Sequence, residues 1–186
     1  MPVDSPVQPD PQPGPIRLVL GRGASGSAAT MRPHVEGLRT RGIDARAIDL
    51  PRGLAERAVP RFADLLAAGP DLAVGGHSFG GRVASLAAVE HPARALVLLS
   101  YPLHAPGRPE TAEARTAHFP AIGCPVLLLA GEADPFARLD LLRAVVARLP
   151  NGALVTCPHL GHGLGLVLDD ALDRIAVFLR EPAGRG

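Results

Sequence analysis

The chain contains no lysine and no tryptophan, a single tyrosine and two cysteines among its 186 residues. All positive charge is therefore carried by arginine, and the formal net charge is only +1. Without a basic excess there is no electrostatic footprint for nucleic acid, and without an acidic excess there is no solvating tail. No apolar run reaches the roughly 18 residues of a membrane span. The opening residues, Met1-Pro2-Val3-Asp4, carry neither the basic nor the apolar region of a secretory signal. Cys124 and Cys157 stand in no metal-ligand spacing. These absences lead us to expect a cytoplasmic protein with free thiols and no metal or cofactor. They also predict no nucleic-acid or membrane partner.

What is present is ordinary globular composition, 47% hydrophobic and 20% charged, at a length suited to one domain. Residues 1–15 read MPVDSPVQPDPQPGP. Proline this dense permits neither helix nor inner strand, so a disordered tail is expected there, with a flexible end at 181–186. Between them, residues 16–180 alternate. Short apolar runs at 16–20, 44–50, 71–76, 93–99, 125–130 and 153–157 read as strands. Helical spacing recurs at 31–41, 60–68, 79–90, 136–149 and 169–179. Central strands that are apolar on both faces predict a parallel sheet with helices on both sides. In such a sheet the ligand lies outside the carboxyl ends of the strands, so the loops found there are the ones that matter.

The third run enters Gly76-His77-Ser78-Phe79-Gly80 and then a helix, which is G-x-S-x-G in a strand–turn–helix context. A serine on so tight a turn is exposed as a nucleophile, and the small neighbours let helix and strand backbones nearly touch. The Phe79 N–H would lie at the helix N-terminus, where it can stabilise an oxyanion. The fifth run ends in Gly131-Glu132-Ala133-Asp134-Pro135. Asp134 there can orient a histidine, although Asp-Pro also reads as a plain turn. The sixth ends in Cys157-Pro158-His159-Leu160-Gly161-His162-Gly163, where the flanking glycines favour His162 over His159 as a general base. The chain order Ser78, Asp134, His162 is that of a Ser-His-Asp triad.

The first loop carries a rival signal. Gly21-Arg22-Gly23-Ala24-Ser25-Gly26 matches G-x-G-x-x-G, and Asp49 follows at the end of the second strand, as in a dinucleotide site. In the acyl-transfer reading the same loop supplies a second oxyanion donor, the Ala24 N–H. Tyr101, Leu103 and His104, after the fourth run, and Phe136, after the fifth, are candidates for a substrate pocket. They could equally be loop residues packing on the core. The connection from 101 to 123 is too short for a large lid, which predicts an open, shallow site. Cys124 and Cys157 are expected at opposite sheet edges, too far apart to pair.

Three stretches bring the chain close to the α/β-hydrolase superfamily: Gly23-Ala24-Ser25-Gly26, Gly76-His77-Ser78-Phe79-Gly80-Gly81-Arg82, and Ser100-Tyr101-Pro102-Leu103-His104-Ala105-Pro106-Gly107. It resembles a reduced member, lacking two leading antiparallel strands, of the small dienelactone-hydrolase-like group that includes testis-expressed protein 30. The resemblance implies a six-stranded sheet of order 2-1-3-4-5-6 and a minimal lid. It also implies serine-dependent hydrolysis of a small ester or thioester, with triad roles on Ser78, His162 and Asp134. A non-catalytic, partner-binding scaffold of the same fold stays open as an alternative. Arg22 stands where the superfamily usually has histidine. It would brace the oxyanion loop, bind an anionic substrate or obstruct the pocket.

Overall fold

The computed structural model describes residues 14–69 and 71–181. Apart from residues 14 and 15, the tail expected at 1–15 lies outside the described residues, as do 182–186. The elements are β1 (Arg17–Gly21), α1 (Arg32–Thr40), β2 (Asp44–Ile48), α2 (Pro60–Ala67), β3 (Leu72–His77), α3 (Phe79–Glu90), β4 (Leu96–Leu99), α4 (Ala112–Thr116), β5 (Val126–Gly131), α5 (Leu139–Val146), β6 (Gly152–Cys157) and α6 (Leu168–Arg180). Every strand pairing is parallel and the order is β2-β1-β3-β4-β5-β6, as expected.

The two-residue period of the strands builds two cores. Val19, Val74, Leu96, Leu98, Val126 and Leu128 point to one face, under α2, α3 and α5. Leu18, Leu20, Ala73, Val97, Leu99, Leu127 and Leu129 point to the other, under α1 and α6. That division is why β4 and β5 read as unbroken apolar runs: both of their faces are covered. A fully buried leucine stabilises the fold by about 2 kcal/mol, so the sheet is a rigid base for its loops.

The register brings the strand ends to one line. Gly21 sits opposite Gly76, His77 opposite Leu99, and Gly131 opposite Cys157. The residues that follow emerge side by side at one edge. Gly76 and Gly80 let this edge close up: a Cβ on Gly76 would lie 2.8 Å from the Gly80 carbonyl carbon, and one on Gly80 would strike the Gly21 carbonyl. Cys124 precedes β5 while Cys157 ends β6, and both are free thiols.

Two regions differ from expectation. The helix predicted over 136–149 begins only at Leu139, because Asp134 draws the chain into a turn first. Its Oδ1 accepts the Phe136 N–H at 2.8 Å and its carbonyl accepts the Ala137 N–H at 3.1 Å. The connection over 101–123 is short, as predicted, yet it is not a bare strap. It folds into α4 flanked by single helical turns at Pro109–Thr111 and Phe119–Ala121, and so forms a wall. Among the described residues no helix is long and apolar enough to cross a membrane.

Candidate active site

Ser78 caps α3 with φ 51° and ψ −112°, a conformation costly for a residue with a side chain and stored here by the packed glycines around it. Its amide donates to the Leu99 carbonyl at 2.8 Å, which ties the turn to β4. The hydroxyl lies 2.8 Å from His162 Nε2. On its other side His162 Nδ1 lies 2.8 Å from Asp134 Oδ2. Asp134 is buried, and its second oxygen is occupied by the Phe136 amide. An ionised Asp134 can only accept, so Nδ1 carries the ring proton and Nε2 is left free to accept from the serine. The three residues expected to converge are thus brought into one hydrogen-bonded line.

His162 is held from three directions. A Cβ on Gly131 would strike the Leu160 and Gly161 carbonyls, so the β6 loop rests directly on the end of β5. The Ala133 amide donates to the Leu160 carbonyl at 2.9 Å. His77 Nε2 lies 3.0 Å from the His162 carbonyl, to which it donates. Burial, the largest influence, lowers the pKa of His77, which favours the neutral ring. His77 also touches the first loop: a Cβ on Gly23 would lie 3.1 Å from His77 Nδ1. Sequence reasoning passed over His77, and only its place inside G-x-S-x-G could have marked it. His159, the other histidine of this loop, is exposed.

Arg22 is buried. Its guanidinium donates to the carbonyls of Gly23 at 2.6 Å and Ala24 at 2.8 Å, and also to that of Leu50. Of the three expected roles it takes the bracing one, and it lines no part of the cavity at Ser78. Asp49 is exposed just beyond the end of β2. Its carboxylate accepts the Ala28 amide at 2.7 Å and lies 3.9 Å from Arg22 Nε. Two of the first-loop glycines serve close packing: a Cβ on Gly21 would lie 3.0 Å from Gly80 Cα, and one on Gly23 would lie 3.1 Å from His77 Nδ1.

A cavity of about 520 Å³ opens at Ser78, with Ala24, Phe79 and Phe136 on its lining. Phe79 is the first residue of α3, so its N–H has no partner within the helix. The Phe136 ring centroid lies 4.5 Å from that of His162. Three expected pocket residues are corrected. Tyr101, Leu103 and His104 are all buried and do not line this cavity. Leu103 joins the core beneath the connection. Tyr101 donates its hydroxyl to the Arg115 carbonyl at 3.0 Å. His104 staples the connection to the Asp134 turn. Its amide donates to the Phe136 carbonyl at 3.0 Å, its Nδ1 donates to the Ala105 carbonyl at 2.9 Å, and its Nε2 accepts the Arg138 amide at 3.1 Å. Among the described residues no cluster of three or more His, Cys, Asp or Glu could hold a metal ion.

Residues 46–163 match the sequence model of a family described as alpha/beta hydrolase domain. Several solved structures share the fold. The monoacylglycerol lipase of Paleococcus ferrophilus has a TM-score of 0.75 at 15% identity, over 87% of this chain and 94% of that one. Est1E from Butyrivibrio proteoclasticus has a TM-score of 0.72 at 18% identity, over 92% and 91%. A thermophilic esterase from Thermogutta terrifontis has 0.70 at 17%, over 91% of each. At such identities the likeness is one of fold. A curated protein, the UDP-N-acetylmuramoylalanine–D-glutamate ligase of Nitratidesulfovibrio vulgaris, is 32% identical over 131 residues. That match takes in 70% of this chain but only 29% of the ligase, so the chain spans under a third of that relative's length.

Proposed function

The chain belongs to the α/β-hydrolase family, and from that premise we propose that it is a serine hydrolase cleaving an ester or thioester of a small acyl group. The observation that carries this reading is the unbroken line Asp134–His162–Ser78, with 2.8 Å at each junction, ending in a cavity. Ser78 Oγ attacks the acyl carbonyl while His162 Nε2 takes its proton. Asp134 keeps the ring in the useful tautomer and stabilises the imidazolium. The oxyanion is met by the Phe79 and Ala24 amides, one at a helix N-terminus and the other on the loop that Arg22 braces. His162 then protonates the leaving alcohol or thiol, and the acyl group stays on Ser78. A water gives its proton to His162, attacks the acyl-serine, and releases the acid as Ser78 recovers its proton.

The test is labelling with a fluorophosphonate, which reports an activated serine, followed by turnover of short esters. The expected result is an adduct on the Ser78 peptide alone, absent in Ser78→Ala. Ester kcat/KM should fall by about 10⁴-fold in Asp134→Asn, the size of loss known for an acid in this role. A folded wild-type protein that neither labels nor turns over esters would overturn the reading. It would leave a hydrolase-like scaffold that binds a partner protein.

A further inference from the structure

The cavity at Ser78 carries an unbalanced positive charge. Two guanidinium groups, Arg82 and Arg115, and one carboxylate, Glu56, stand on its lining. Arg82 and Glu56 answer each other at 3.0 Å. Arg115 has no carboxylate partner among the described residues. One of its nitrogens donates to the Pro102 carbonyl at 3.2 Å, and its other N–H groups are unspent. Burial, and then the neighbouring Arg82 charge, lower the proton affinity of Arg115, so an arriving anion would relieve it.

Two hydrogen bonds tie Arg115 to the end of β4, one at its backbone and one at its side chain. Tyr101 donates to the Arg115 carbonyl while Arg115 donates to the Pro102 carbonyl, a reciprocal clasp between the end of β4 and α4. Tyr101 is buried enough that its phenol pKa is pushed up to about 12, so it remains a donor. A planar guanidinium already anchored at one nitrogen loses less freedom on taking a carboxylate in two parallel hydrogen bonds. The rest of the lining is largely apolar, with Leu54, Ala55, Phe79, Pro102 and Phe136.

We infer that Arg115 is a specificity determinant that selects substrates carrying a carboxylate at the far end of a short apolar chain from the scissile ester or thioester. The inference rests on the acyl-transfer reading, and its test separates the two. Monoethyl glutarate, adipate and pimelate are compared with ethyl pentanoate, hexanoate and heptanoate. A second arm moves the acid to the alcohol side, 4-butanoyloxybutanoate against butyl butanoate. At the best chain length the carboxylate should raise kcat/KM by about tenfold or more, less so at high salt. That ratio should fall to about one in Arg115→Gln, survive in part in Arg115→Lys, and invert in Arg115→Glu. No preference in either arm, or a ratio undiminished in a correctly folded Arg115→Gln, overturns the inference.

Binding of the same compounds to Ser78→Ala, followed by NMR titration, does not depend on turnover. Selective binding of the acids that Arg115→Gln abolishes, together with no turnover of any ester, would sink the acyl-transfer reading and keep the anion site. Turnover of neutral esters with no acid preference would do the reverse.

Discussion

His77 and Arg22 show how much of this site is held by side chains that never meet a substrate. His77 spans the first loop and the β6 loop, donating to the His162 carbonyl at 3.0 Å. Arg22 does the same for the first loop and the end of β2, satisfying the carbonyls of Gly23, Ala24 and Leu50 from a buried position. Arg22→Met keeps the volume and removes every donor. It should cost about 2–4 kcal/mol of stability, because those carbonyls are left dry and unpaired. Thermal melts check the stability, and fluorophosphonate labelling should slow alongside as the Ala24 amide loses its aim. A melting point unchanged from wild type would mean that water serves those carbonyls as well as the guanidinium does. The sequence showed that an arginine stood at this position but not which way it turned. Direction depends on what it can reach, and Leu50 is 28 positions away along the chain.

At the scale of elements, the strands and most helices were legible because burial leaves a plain mark. LVLL and VLLLA are short apolar runs of the kind covered strands leave, and the small residues of 79–90 announce a helix pressed against a sheet. The helix expected over 136–149 failed at its start for a reason equally physical. Asp134 spends one oxygen on the Phe136 amide, and an Asx turn competes with the first helical turn for the same donors. The connection over 101–123 hid its meaning further. Tyr101 and His104 looked like pocket residues because they follow a strand end, yet their polar atoms find backbone partners and pull the rings inward. Gly131 is the element-scale residue that carries most consequence. Gly131→Ala must push the Leu160 and Gly161 carbonyls away, and His162 moves with them. A displacement near 1 Å should lower kcat by about 10²-fold while circular dichroism stays native. Undiminished kcat in that variant would show that the β6 loop adjusts without moving the ring.

For the whole molecule, the half-buried histidines His34 and His118 contribute to the response to acid. The pKa of His34 is lowered to about 4 by burial and then by His77, and that of His118 to about 4 by burial and then by Arg82. The fold therefore prefers both rings neutral, whereas the unfolded chain protonates them near 6.5, the ordinary value for histidine. Between those two pH values the unfolded state binds more protons than the folded one, so stability is full above about 6.5 and declines as pH falls toward 4. Melting temperatures measured across that window should fall steadily. His118→Gln, which can still meet the Ser85 hydroxyl, should flatten part of the slope. A slope identical to wild type would assign the loss to other groups.

The close approach at Gly21, Gly76 and Gly80 also bears on descent. A methyl group on Gly76 or Gly80 would meet neighbouring backbone, which cannot step aside. Thr111, Ala114 and Arg115 instead face the cavity from a separate segment that touches neither the serine turn nor the histidine loop by sequence. Inherited variation thus has two very unequal fields. A lineage carrying this chain can vary the cavity wall at Thr111 and Ala114, while Gly76 and Gly80 are passed on unaltered.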